Sequence, residues 1–171
     1  MDPREGSTAT RILVPITPSA FAACALAATT AARIARKTGG VLRLAYLAPL
    51  PRPRVDRHDR VVADTDREMA RIGAAAQARL DALAASLEGV PVETVIRFGR
   101  AAVELSIEAE AFGADLIALA AAMRPRIGER ARAWQLRRAA RGAKVALVFL
   151  PLAAMRTASQ PGGAVSVPAL R

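Results

Sequence analysis

Apolar residues cluster in five short runs, each bounded by charge, glycine or proline: Arg11–Ile16, Val41–Leu47, Val92–Phe98, Asp115–Ala120 and Val145–Leu150. The last two lack the in-out alternation of half-exposed strands and read as strands buried on both faces of a parallel sheet. Longer stretches between the runs carry the helical period. After the first run, Thr17 is placed as an N-cap with Pro18 in the first helical position. That helix runs to about Lys37 and stops at Gly39-Gly40. Met69, Ile72, Ala76, Leu80, Leu83 and Leu87 recur every three or four residues, so they line one face of a long helix closed by Gly89. Val103, Ile107 and Ala111 mark one face of a shorter helix ending at Gly113, and a further helix covers about Glu129 to Arg141. Pro49, Pro51 and Pro53 exclude regular structure after the second run, and Arg52 to Asp66 reads as an exposed, mobile loop.

Strands alternating with helices predict an α/β fold: an open five-stranded parallel sheet with helices on both faces. A chain of 171 residues fits one such domain. Its bounds are placed at 11–150, with a disordered N-terminus over 1–10 and a flexible tail over 151–171. Ligands of such sheets bind beyond the carboxyl ends of the strands. The stretch Ala114–Pro151 therefore draws attention, because it joins the fourth and fifth strands across that edge.

Charge sharpens this. The net charge is +10, yet residues 124–144 alone hold eight basic side chains against the single Glu129, while the rest of the chain is nearly balanced. A field so concentrated favours anionic partners. Arg124, Arg126, Arg130 and Arg132 form either a phosphate clamp or a solvated helix face. The same segment offers a weak, salt-sensitive contact to nucleic acid or another polyanion. Aromatics are 4% of residues and only Trp134 lies in the segment, which argues against base stacking.

Other chemistry is sparse. Cys24 is the only cysteine and sits in an alanine-rich helix, so no disulfide framework exists. The only histidine, His58, lies among Asp56, Asp59, Asp64 and Asp66 in the polar loop without metal-ligand spacing, so no metal or other cofactor is expected. No nucleophile with a paired base stands out, and a non-enzymatic protein is expected. The N-terminus lacks an apolar signal segment, and the longest apolar run, Val145–Met155, is too short to span a bilayer and is broken by Pro151. The expectation is a soluble, cytoplasmic protein without membrane contact.

Several strings, in order, resemble the universal stress protein family. They are Arg11–Ile16 followed by Ser19, Phe98-Gly99-Arg100-Ala101 followed by Ile107, and Gly113-Ala-Asp-Leu-Ile-Ala-Leu119. The resemblance covers residues 11–150 and implies a Rossmann-like sheet of the adenine nucleotide alpha hydrolase-like type. It also implies a role in stress response. ATP-binding members carry glycine, two residues, glycine, nine residues, then glycine with Ser or Thr. Laid from the end of the fourth strand, those places fall on Ala120, Met123, Ala133 and Trp134, and the family aspartate after the first strand falls on Thr17. None matches. Glycine lets backbone N–H groups approach a phosphate, and a Cβ at each place blocks that.

The first expectation is therefore a regulatory, protein-binding domain with a degenerate ATP-binding motif and no ATP. The second is a nucleotide-responsive regulator with a divergent anion site of Thr17, Gly99, Arg100, Arg124 and Arg126. The third is a basic polyanion adaptor. By the same resemblance the last strand, through Val145, Leu147, Val148 and Phe149, pairs with its copy in a homodimer, and the protein partner is unidentified.

Overall fold

The computed structural model describes residues 10–52, 54, 55, 57, 61–123, 127, 130–132, 134 and 146–150. Its five-stranded sheet is parallel throughout: β1 (Arg11–Ile16), β2 (Val41–Ala48), β5 (Val92–Phe98), β6 (Leu116–Ala120) and β7 (Ala146–Leu150), in spatial order β5-β2-β1-β6-β7. The two crossovers that run from β1 outwards carry α1 (Phe21–Thr38) and α2 (Thr65–Ala85), and the return to β6 carries α3 (Ala101–Phe112). Right-handed connections in opposite directions place α3 on the face opposite α1 and α2.

Local chemistry explains the elements. Ala27, Ala28, Ala31, Ala32 and Ala35 are buried along α1, so the helix backbone lies close to β1 and β6. Gly39 takes a left-handed φ of 62° and closes α1 through its N–H to the Ala35 carbonyl. Asp64 caps α2, its carboxylate accepting from the Arg67 N–H at 2.9 Å. Asp115 knits three strands. Its carboxylate accepts from the Arg11 N–H at 2.8 Å, its own N–H donates to the Arg11 carbonyl at 2.9 Å, and its carbonyl accepts from Ala146 at 2.7 Å.

Four features depart from the sequence expectation. Thr17 caps nothing with its side chain; Pro18–Ala20 form a 3-10 turn closed by the Ala20 N–H on the Thr17 carbonyl, and α1 starts only at Phe21. Arg54–Val55 (β3) and Val61–Ala63 (β4) make a short antiparallel ladder just after the three prolines, with β-branched valines on either side of its turn. The helix α3 is rotated: it buries Leu105, Glu108, Ala109 and Phe112, while Ile107 is 47% exposed and Ala111 faces solvent. Finally, β6 is buried at all five positions, but β7, an edge strand, is only partly covered. Helical structure beyond β6 is present at Ile127, Arg130–Arg132 and Trp134, so it begins before Glu129. His58, the N-terminal residues 1–9 and the tail 151–171 lie outside the described residues.

Candidate functional site at the carboxyl edge of the sheet

Three loops meet at the carboxyl ends of β1, β2 and β5 and enclose a cleft of about 460 Å³. Thr17, Pro18 and Ser19 follow β1, Leu47 and Pro49 come from the end of β2 and the residue beyond it, and Gly99, Arg100 and Ala101 lead into α3. The Gly99 N–H donates to the Ala48 carbonyl at 2.8 Å and ties two of the loops. Gly99 itself has φ +155°, and a Cβ there would stand 2.6 Å from Glu104 Oε1. The turn thus needs glycine, and the Glu104 carboxylate packs directly beside it. Arg100 occupies the cap position of α3 but gives no side-chain cap; Val103 and Glu104 donate to its carbonyl. The first N–H groups of the helix, at Ala101 and Ala102, precede the first intrahelical bond and have no helical acceptor.

The interior beside this cleft is filled by sulfur. The Cys24 thiol donates to Met123 Sδ at 3.4 Å, and both residues are buried. Burial pushes the Cys24 thiol up, against a smaller opposing pull from the Thr17 backbone and hydroxyl. It is a protonated packing group rather than a nucleophile. Thr17 is 8% exposed, and its hydroxyl, lying toward the Cys24 thiol, meets no partner in full hydrogen-bond geometry among the described residues.

A second polar cluster lies under α3. Glu108, 1% exposed, accepts from Arg43 Nη1 at 2.6 Å and from Arg97 Nε and Nη2 at 2.9 and 2.7 Å, and Arg43 also donates through Nε to Glu93 at 2.8 Å. Burial pushes the Glu108 carboxyl up, but the hydrogen bonds and charges of the two arginines overcome it and hold the group below the ordinary carboxylate range. The Arg43 guanidinium also lies 4.2 Å from the centre of the Phe112 ring. With every oxygen committed to arginine, Glu108 is a structural anion.

The candidate residues thus separate. Thr17, Gly99 and Arg100 are brought together in the cleft. Ala120, Met123 and Trp134 are core residues, 0%, 2% and 2% exposed. Arg124, Arg126, Ala133 and Val145 lie outside the described residues. Arg130 and Arg132 are exposed, away from the cleft lining, and Arg132 stacks over Phe149 at 5.7 Å. Leu147, Val148 and Phe149 sit on the edge strand. Sequence reasoning missed Pro18, Ser19, Leu47, Pro49 and Ala101 as lining residues; the parallel-sheet rule that ligands sit beyond strand ends was the signal available for all five. Among the described residues no three His, Cys, Asp or Glu side chains converge as a metal site, and no helix is long and apolar enough to cross a membrane.

Solved structures share this fold. A universal stress protein family member from Burkholderia pseudomallei aligns with a TM-score of 0.58 at 19% identity, over 85% of this chain and 98% of that one. The universal stress protein UspA from Lactobacillus plantarum aligns with a TM-score of 0.55 at 23% identity, over 83% and 97%. A universal stress protein in complex with cAMP aligns at 0.52 and 17%, over 84% and 98%. Comparison with curated proteins finds no match. The sequence profile described as the universal stress protein family matches residues 8–151, and with strand order, turn and sheet edge all in agreement, the chain belongs to the universal stress protein family.

Proposed function

We propose that this chain is a non-enzymatic regulatory member of its family, working in stress response as a homodimer through protein contacts, in which the triphosphate-binding mode has been lost. One observation carries the reading. Met123 stands where ATP-binding members have a glycine, and it is turned into the core with its sulfur 3.4 Å from Cys24. Opening that loop to a phosphate means withdrawing a buried side chain from its packing, which costs on the order of 2–5 kcal/mol. Trp134, in the place of the family's Ser or Thr, is also buried and would have to leave the core. The described side chains that most resemble catalytic groups are committed elsewhere: Glu108 to two arginines and Cys24 to a thioether.

The test is calorimetric titration with Mg-ATP, paired with mass spectrometry of small molecules released from freshly denatured protein. No saturable heat at low micromolar nucleotide and no stoichiometric adenine nucleotide are expected. Saturable binding, or a nucleotide carried through purification, overturns the reading.

A further inference from the structure

The cleft stands open although Met123 and Trp134 are turned into the core, and its walls have a definite chemistry. Pro18, Leu47, Pro49 and Ala101 make it apolar over most of its surface, and Leu50, next to Pro49, is 60% exposed. A volume of 460 Å³ falls in the range of small-molecule sites. Thr17 and Ser19 line the β1 side with hydroxyls, and the charged groups stand on the β5 side. There stand Arg100, which forms no ion pair among the described residues, and the start of α3 with its uncapped N–H groups. Glu104, packed against Gly99, limits how much negative charge this side accepts: it is tolerable to a monoanion and repels a second charge.

We infer that the cleft binds a small monoanionic amphiphile, a carboxylate with an apolar body. The carboxylate sits between Arg100 and the first turn of α3, and the body lies along Pro18, Leu47 and Pro49. A guanidinium suits a carboxylate because its paired N–H groups match the two oxygens. The assignment rests on the proposed loss of ATP binding to this extent, that Thr17, at the place of the family aspartate, lines the same cleft.

Octanoate is the probe, titrated into the full chain, with octanol and octylamine as controls of matched body. Octanoate is expected to bind saturably with one site per chain, about tenfold more tightly than octanol, with octylamine weaker still. Arg100→Gln, at an exposed position, is expected to weaken octanoate about tenfold and to leave octanol unchanged; an unchanged melting temperature shows that the variant folds. The inference is overturned if octanoate gives no saturable binding, if octanoate and octanol bind alike, or if Arg100→Gln leaves octanoate affinity intact. It is overturned too if AMP displaces octanoate at equal or lower concentration, whereas Mg-ATP titrated alone tests the triphosphate reading.

Discussion

Glu108 shows how one residue decides a packing arrangement. The carboxylate is fully buried in the α3–sheet layer and held by Arg43 and Arg97 from two adjacent strands. Removing its charge leaves two guanidiniums facing each other, so Glu108→Gln is expected to cost about 2–3 kcal/mol at neutral pH. Because the folded carboxyl titrates below its unfolded value, its contribution is fully present above the unfolded value and is lost as pH falls through the folded one. The gap in urea-unfolding free energy between wild type and Glu108→Gln should therefore narrow as pH drops through the acid carboxylate range. A gap that stays constant from neutral to acid pH rules this account out. The sequence hides this network, because a glutamate among alanines on a helix looks like a solvent-facing residue until its two arginine partners arrive from elsewhere in the chain.

At the scale of an element, α3 marks the boundary of what periodicity reads. Ala, Val, Leu, Ile and Phe occur on nearly every side of the helix, so the stripe Val103, Ile107 and Ala111 was one of several that fitted, and it is the wrong one. The buried salt bridges and Phe112, flanked by Arg11 and Arg43, set the rotation instead. The contrast is measurable. Leu105→Ala, at 1% exposure, should destabilise by about 2–5 kcal/mol, whereas Ile107→Lys, on the outer face, should fall within about 0.5 kcal/mol of wild type in denaturant melts. A large loss from Ile107→Lys would mean that this face is covered. Where a helix has one apolar face only, as α2 does with Ala76 and Leu80 buried, the spacing was legible. The same holds for β1 and β5, whose bounds agree with the apolar runs residue for residue. Thr17, singled out through the family resemblance, and Gly99 and Arg100, singled out at the turn after the third strand, line one cleft. The inward turn of Met123 was not legible, because nothing local in the chain announces that its partner is Cys24, 99 residues away.

For the whole molecule, the sheet's two ends differ. On one side β5 is the edge, lined by α2 packing against it. On the other, among the described residues β7 pairs only with β6, Val148 is 36% exposed, and Leu147, Phe149 and Leu150 are partly covered. An apolar strand with no second neighbour among the described residues presents backbone groups for pairing, and no charged side chain between Ala146 and Leu150 discourages a second chain from adding to it. Pairing of β7 with its copy would satisfy those groups and shield Val148 at once. The expected outcome is twice the monomer mass by light scattering and a melting temperature that rises with protein concentration, since dissociation then accompanies unfolding. Val148→Lys puts a charge opposite its own copy, so it should give a monomer whose melting temperature no longer depends on concentration. A wild-type monomer at working concentration would remove β7 as the interface, and would shift the regulatory reading toward the cleft and the basic segment 124–144.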